Sequence, residues 1–292
     1  MKKPIVITLG EPAGIGPEVV EHAVRKFRKR YPKVGVDVLG DPDMAKPGKP
    51  TKKSAKSALE ALELSAEMAL AGEAAAIVNG PVSKEWLQQV GFRHPGQTEF
   101  YARAFGLKND EVTMTMTGPS MTVGLVTTHC SLASAVRKVT QPRIVATGQR
   151  LDALLRAKGI RKPRIAVAGL NPHAGEAGAF GQEEIRIIEP AVKRLEAELK
   201  RSVAGPISPD AVYMACRDGK YDGVVSLYHD QGLIPFKLVS FDTGVNVTAG
   251  LPVWRMSPDH GTAFDIAGKN KADARSMYCA LELALELGRI KK

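Results

Sequence analysis

Three of the six histidines occupy one kind of position, directly after a β-rich run of the chain. His129, His173 and His229 each stand where a strand should leave its sheet. In open α/β folds ligands bind outside the carboxyl ends of the strands, and three imidazoles there could hold a divalent cation while leaving positions for a substrate. Separations of 44 and 56 residues exclude a local motif, so the fold would have to assemble the site. Position alone leaves two interpretations open, a metal site and ordinary hydrogen-bonded loop histidines.

Charged and polar residues follow these histidines in the sequence. Asp230 comes directly after His229, and Lys237, Asn246 and Arg255 come later. A lysine, an arginine and an amide suit a substrate with carboxylate or phosphate groups, because arginine binds planar anions through two parallel hydrogen bonds. Taken singly, Lys237 and Arg255 are better explained as surface cations.

Three turn-rich segments follow predicted strands. The segment 10–18 has neither the dinucleotide-binding nor the phosphate-loop spacing of glycines, and a tight turn between a strand and a helix explains it. The segment 79–84 ends in Lys84, which could meet an anion. The segment 260–269 leads into the last predicted helix, whose N-terminus favours anions.

The elements that must position these residues alternate between strands and helices. Six β-rich runs are predicted to be strands: 4–9, 34–39, 75–78, 122–127, 164–168 and 223–227. Four segments with helical spacing of apolar residues are predicted to be helices: 54–71, 143–158, 182–199 and 272–287. This alternation predicts an α/β protein of two α/β/α lobes with mostly parallel sheets. We expect one catalytic unit, with a first lobe of approximately 1–120 plus 256–292 and a second of approximately 121–255.

The composition is that of a globular protein, with 292 residues of which 44% are hydrophobic and 25% charged. No apolar run approaches the ~18–20 residues of a membrane helix, and the first apolar stretch is too short for a signal peptide. The three cysteines are widely spaced and offer neither a disulfide framework nor a zinc motif. We therefore expect a cytoplasmic protein that has no membrane partner.

The net charge of +10 is concentrated in two basic runs, 25–30 and 46–53. An excess of positive charge is compatible with binding to nucleic acid, with binding of an anionic substrate, or with a basic surface that only contacts solvent. Neither run is interleaved with aromatic residues, so the stacking of bases has little support. We expect no nucleic-acid partner, and a basic nucleic-acid-binding or non-catalytic binding protein is the alternative from a different class.

Five motifs together resemble the 4-hydroxythreonine-4-phosphate dehydrogenase family of vitamin B6 (pyridoxine) biosynthesis. In chain order they are GEPAGIGPE (10–18), GLNPHAGE (169–176), YHDQGLIPFK (228–237), FDTGVNVTAGLP (241–252) and SPDHGTAFDIAG (257–268). The resemblance implies a homodimer with an isocitrate/isopropylmalate dehydrogenase-like fold and a composite active site in a cleft shared between subunits. It implies that a divalent metal (Zn, Mg, Mn or Co) is held by three histidines, His129, His173 and His229.

The resemblance also implies that Thr98, Lys237, Asn246 and Arg255 contact the substrate, a small phosphorylated hydroxy amino acid. Gln97 stands where the family usually has a histidine, and glutamine can donate to a phosphate or hydroxyl but cannot carry a positive charge. The stretch after the second predicted strand is also shorter than usual in the family. Substrate identity therefore stays open, with a four-carbon sugar-acid phosphate (erythronate or threonate 4-phosphate) or a dihydrodiol as alternatives.

The last glycine-containing loop is similar to the adenine-binding loop of isopropylmalate dehydrogenases. On that resemblance His260, Gly261, Asp265 and Ile266 would bind the nucleotide. The carboxylate of Asp265 could accept hydrogen bonds from ribose hydroxyls and would repel a 2′-phosphate, which favours NAD while leaving NADP possible.

The reaction implied is a metal-dependent, NAD(P)-linked oxidation of 4-phosphonooxy-L-threonine at C3. Decarboxylation to 3-amino-2-oxopropyl phosphate would follow, because the oxidation product is a β-keto acid. Lys237 and Asp230 are both candidates for the catalytic relay of the proton, and the sequence does not choose between them.

Overall fold

The computed structural model describes residues 3–290, which divide into two compact units. The first unit comprises the described residues up to Asn109 together with those from Asp242 onward, and the second is Asp110–Phe241. The sequence placed these boundaries near 120 and 255. Two antiparallel strand pairs, described below, account for the difference.

Ten strands and ten α-helices lie within the described residues. The strands are β1 (Ile5–Thr8), β2 (Val36–Leu39), β3 (Ala76–Asn79), β4 (Thr113–Thr117), β5 (Thr122–Leu125), β6 (Ile165–Ala168), β7 (Ala204–Ile207), β8 (Gly223–Ser226), β9 (Val245–Ala249) and β10 (Arg255–Pro258). The helices are α1 (Gly16–Arg30), α2 (Lys52–Leu70), α3 (Lys84–Gln88), α4 (Gln97–Ala104), α5 (Leu132–Lys138), α6 (Gln141–Ala157), α7 (Glu189–Leu199), α8 (Pro209–Arg217), α9 (His229–Ser240) and α10 (Arg275–Leu287). None of the helices within residues 3–290 is long and apolar enough to span a membrane.

The strands of the first unit run in the order β2-β1-β3-β10-β9. All neighbours are parallel except β9, which is antiparallel to β10. Every residue of β1 and β3 is buried, which is typical of a parallel sheet covered on both faces. Helices α2 and α10 pack against these strands, and α1 packs against α10.

The strands of the second unit run in the order β4-β5-β8-β6-β7, and only β4 is antiparallel to its neighbour. Successive residues of β6 enter different hydrophobic clusters. Ala166 and Ala168 pack in one cluster, and Ile165 and Val167 pack in the other. Because successive side chains of a strand point to opposite faces, the sheet has a core on each side.

The six predicted strands are confirmed as β1, β2, β3, β5, β6 and β8, and three of the predicted helices as α2, α6 and α10. The fourth, 182–199, is a π-helical turn at Glu184–Ile188 that continues as α7. The sequence did not predict β4, β7, β9 and β10. The pairing of β4 with β5 keeps the residues from Asp110 in the second unit. The pairing of β9 with β10 likewise keeps the residues from Asp242 in the first.

Candidate active site

The three predicted histidine ligands lie at one edge of the sheet of the second unit. Strand β8 lies between β5 and β6 and is parallel to both, so the carboxyl ends of the three strands share that edge. His129 follows β5, His229 begins α9 directly after β8, and His173 lies in the turn after β6. All three histidines therefore occur where strands leave the sheet.

His129 and His229 are close together. Their ring centroids are 5.6 Å apart, and both side chains line a cavity of about 220 Å³ together with Cys130, Leu132 and Asp230. Oδ1 of Asp230 lies 2.6 Å from Nδ1 of His229. This contact fixes the ring orientation and leaves Nε2 as the ligating nitrogen, an arrangement common behind metal-binding histidines. The donor set fits a divalent metal that accepts imidazole ligands.

His173 lies apart from the other two. Its ring centroid is 6.1 Å from that of Phe180, and the two rings are tilted by 49°. Among residues 3–290, no three side chains of His, Cys, Asp or Glu come close enough to hold a metal ion. Within this single chain the structure thus brings together two of the three predicted ligands.

The turn that carries His173 has a left-handed backbone. Consecutive residues from His173 to Ala177 have φ between 41° and 79°, a conformation that costs non-glycine residues roughly 1–2 kcal/mol each. Such strain persists only where the surrounding structure enforces it, and it occurs most often at functional sites.

Glu184 holds the beginning of this turn. It is 2% exposed, and its Oε1 accepts hydrogen bonds from the backbone N–H of Leu170 at 2.7 Å and of Asn171 at 2.8 Å. Its Oε2 accepts a third from the Asn171 side chain at 2.9 Å. At Gly175 an added Cβ would lie 2.7 Å from Oε2, so the turn closes tightly over the carboxylate.

Arg255 is the centre of a second polar cluster, in the first unit. Its side chain is buried, with Nε donating to Oδ1 of Asn79 at 2.6 Å and Nη1 to Oγ1 of Thr248 at 3.4 Å. Nη2 donates to Oε1 of Gln97. Burial lowers the pKa of Arg255 to about 10, which still leaves the guanidinium charged at neutral pH.

Gln97 and Thr98 begin α4 and join this cluster. The carboxamide oxygen of Gln97 faces Arg255, and its Nε2 donates to the carbonyl of Gly80 at 3.4 Å. Oγ1 of Thr98 lies 3.2 Å from Oγ1 of Thr248. The structure therefore brings together Gln97, Thr98 and Arg255, three of the predicted substrate contacts.

The remaining predicted substrate contacts occupy other elements. Asn246 lies in β9, and its Oδ1 is buried without a hydrogen-bond partner among the described residues. Lys237 lies in α9, two helical turns after His229, and is partly exposed. Lys84 begins α3, and its Nζ would lie 3.8 Å from a Cβ added at Gly96, just before Gln97.

The predicted nucleotide loop precedes α10. Nδ1 of His260 lies 3.2 Å from the carbonyl oxygen of Gly261, whereas its Nε2 is buried and unpartnered among the described residues. Burial lowers the pKa of His260, which favours the neutral imidazole. The Asp265 side chain is exposed, and the Ile266 N–H donates to the carbonyl of Ala263 in a tight turn.

Sequence reasoning missed Asn79 and Glu184. Glu184 carried a usable signal, since it precedes Ile188 by four residues and Val192 by eight and so falls on the apolar face of the predicted helix 182–199. A carboxylate at such a position must be paired or hydrogen-bonded. Asn79 carried no comparable signal, because an asparagine before Gly-Pro is ordinarily a turn residue.

Comparisons with known proteins show the family of the chain. The profile of the family described as "Pyridoxal phosphate biosynthetic protein PdxA" matches residues 14–284. The chain belongs to this family. The resemblance deduced from the five motifs is confirmed, and membership favours a dehydrogenase over the nucleic-acid-binding alternative.

Relatives in this family have two different names. A 4-hydroxythreonine-4-phosphate dehydrogenase of Erythrobacter litoralis is 41% identical over 98% of this chain and 96% of its own length. A D-threonate 4-phosphate dehydrogenase of Pectobacterium atrosepticum is 37% identical over 98% of this chain and 100% of its own.

Solved structures agree on the fold. The 4-hydroxythreonine-4-phosphate dehydrogenase of Klebsiella pneumoniae has a TM-score of 0.82 and 37% identity, covering 98% of this chain and 100% of its own. Isocitrate dehydrogenase of Methylococcus capsulatus has a TM-score of 0.60 at 15% identity, covering 99% of this chain and 88% of its own. The latter likeness concerns the fold alone and confirms the predicted isocitrate dehydrogenase-like class.

Proposed function

We propose that the protein is a cytoplasmic, metal-dependent and NAD-linked dehydrogenase of pyridoxal phosphate synthesis. It would oxidise 4-phosphonooxy-L-threonine at C3 and decarboxylate the product to 3-amino-2-oxopropyl phosphate. The observation that carries this proposal is the pair His129 and His229 at a sheet edge, with Asp230 behind one ring. It is also supported by relatives that are named 4-hydroxythreonine-4-phosphate dehydrogenase and that align with nearly the whole chain.

The metal would be held by His129 and His229 of one subunit and His173 of a second copy of the chain. This arrangement accounts for the distance of His173 from the other two within one chain. A face of α9 and its C-cap also supports a homodimer, because Ile234, Leu238 and the C-cap Phe241 are 61%, 82% and 67% exposed at helical spacing.

A further exposed apolar side chain lies at the histidine cavity. Leu132 of α5 is 61% exposed and lines the cavity that contains His129 and His229. An apolar face of this kind marks an interaction site. The exposure of Leu132 at the cavity supports a second copy as the occupant, since that copy would bring in its own His173.

When bound, the metal supplies a Lewis acid for the substrate hydroxyl and the nicotinamide supplies the hydride acceptor. Asp230 holds the His229 ring in its ligating orientation through Nδ1. Since the Asp230 carboxylate is engaged in this way, we assign the relay of the hydroxyl proton to Nζ of Lys237. Arg255 binds an anionic group of the substrate, and Thr98 and Asn246 complete the polar contacts.

The nucleotide would be held by the loop that contains His260, Gly261, Asp265 and Ile266. The buried and unpartnered Nε2 of the half-buried His260 supports a polar ligand there. The exposed carboxylate of Asp265 favours the free ribose hydroxyls of NAD over the 2′-phosphate of NADP.

D-threonate 4-phosphate is the second candidate substrate. It lacks the amine of 4-phosphonooxy-L-threonine, and relatives named for its oxidation are 37% and 36% identical to this chain. Gln97 supports this candidate. Its carboxamide is hydrogen-bonded to Arg255 and to the carbonyl of Gly80, and it does not supply the positive charge that a histidine at this position could carry.

A substrate panel tests the proposal. The metal-loaded protein is given 4-phosphonooxy-L-threonine, D-threonate 4-phosphate or D-erythronate 4-phosphate, and NADH formation is followed. The first should have the highest kcat/KM. A higher kcat/KM for a sugar-acid phosphate would identify that compound as the substrate instead. The absence of NADH formation with all three compounds would refute the proposed function.

A further inference from the structure

Arg255 is a buried cation whose hydrogen-bond partners are all neutral. Asn79, Gln97 and Thr248 each accept one hydrogen bond, and no carboxylate among the described residues does so. Glu99 acts on the guanidinium only through space. Buried charges are ordinarily paired, because an unpaired one is costly to desolvate. This cluster therefore keeps a full positive charge, and two of the five guanidinium N–H groups stay available to an anion.

Asn79 is oriented by a chain of buried polar groups behind it. Its Nδ2 donates to Oγ1 of Thr8 at 3.1 Å and to the Tyr101 hydroxyl at 2.8 Å. That hydroxyl lies 2.6 Å from Oγ of Ser65, which donates to the carbonyl of Leu62 at 2.7 Å. Because both donors of the carboxamide are engaged, its oxygen is the atom left to face the guanidinium.

We propose that Asn79 is a positioning residue that fixes the Arg255 guanidinium with a neutral acceptor and so reserves its charge for an anionic group of the substrate. The inference rests on the proposed function, which makes Arg255 a substrate contact. A carboxylate at position 79 could make the same hydrogen bond, but it would neutralise the arginine. The amide therefore matters for its lack of charge as well as for its geometry.

Two variants separate these roles. Asn79→Asp keeps the acceptor and cancels the charge. The Thr8 hydroxyl can turn to donate to the new oxygen, whereas the Tyr101 hydroxyl already donates to Ser65. Asn79→Ala keeps the charge and removes the acceptor. The measurements are Tm, the kcat and KM for 4-phosphonooxy-L-threonine, and the calorimetric Kd of inorganic phosphate.

Asn79→Asp should keep a Tm close to that of the wild type, leave kcat within about threefold, and raise KM and the phosphate Kd by about tenfold or more, because the new carboxylate offsets the positive charge that attracts the anion. Asn79→Ala should lower Tm. Glu99→Gln is the matched control with the opposite change in charge. It removes a carboxylate that acts on Arg255 through space, so it should tighten phosphate binding.

An Asn79→Asp protein that binds phosphate and substrate as tightly as wild type would overturn the inference while leaving the proposed function intact. Conversely, the wild type could oxidise no phosphorylated hydroxy acid while the Asn79→Asp protein binds phosphate more weakly than the wild type. That result would refute the proposed function and support the role of Asn79.

Discussion

The side chains of Asp230 and His229 are hydrogen-bonded to each other, with 2.6 Å between Oδ1 and Nδ1. We expect Asp230→Ala to weaken the binding of Zn²⁺ by about 10–100-fold, because the imidazole loses the partner that orients it. Titration of the apo-protein with Zn²⁺ measures this. Asp218→Ala is the control, since Asp218 is an exposed carboxylate paired with Arg217. Equal affinities in the two variants would show that Asp230 has no role in orienting a ligand.

A mixing experiment tests the composite metal site. His173→Ala and His229→Ala proteins should each be inactive, and unfolding and refolding them together should restore about a quarter of wild-type activity. Half of the dimers are then mixed, and each of these has one intact site of two. The control mixes His129→Ala with His229→Ala, whose lesions lie in the same half-site and should not complement. Recovery in both mixtures, or in neither, would contradict the shared site.

The exposed face of α9 predicts a dimer interface. Leu238→Glu places a charge on a side chain that is 82% exposed in the single chain and should shift sedimentation from dimer to monomer. Met214→Glu is the matched control, because Met214 is likewise an exposed apolar side chain (57%) but lies on α8 and not on α9. A dimer that tolerates Leu238→Glu and is dissociated by Met214→Glu would place the interface elsewhere.

Glu184 should stabilise the strained turn that carries His173. Glu184→Gln places an amide where the Asn171 amide now donates, so one hydrogen bond is lost and two donors face each other. The free energy of unfolding should fall by about 1–3 kcal/mol, and activity should fall further than stability alone explains. Glu189→Gln, in the first turn of α7, is the control. Wild-type stability and activity in Glu184→Gln would show that the turn is held by other contacts.

Gln97 offers a pH-dependent test. Its carboxamide oxygen accepts a hydrogen bond from Arg255, which a protonated imidazole could not do. Gln97→His should therefore bind 4-phosphonooxy-L-threonine less tightly as the pH falls below about 6.5, where a histidine becomes charged. The substrate affinity of the wild type should not show this additional dependence on pH. Tighter binding by the variant at low pH would mean that residue 97 donates directly to the phosphate.

The strands that carry the histidines could be predicted because short β-rich runs alternate with helical periodicity. The antiparallel strand β9 and its partner β10 could not, since β10 contains the charged Arg255 and looks like a loop in sequence. The left-handed turn at His173 was equally hidden, because it depends on the distant carboxylate of Glu184. The sequence thus indicated the candidate metal-binding and substrate-binding side chains, but it did not indicate the side chains that hold them in position.

Metal dependence of NADH formation from 4-phosphonooxy-L-threonine is the most direct test of the central claim. The purified protein is stripped with a chelator, assayed, and assayed again after Zn²⁺, Co²⁺, Mn²⁺ or Mg²⁺ is added. We predict that the stripped protein is inactive, that at least one of these ions restores activity, and that none does so in His229→Ala. Full activity in the thoroughly stripped protein would contradict it.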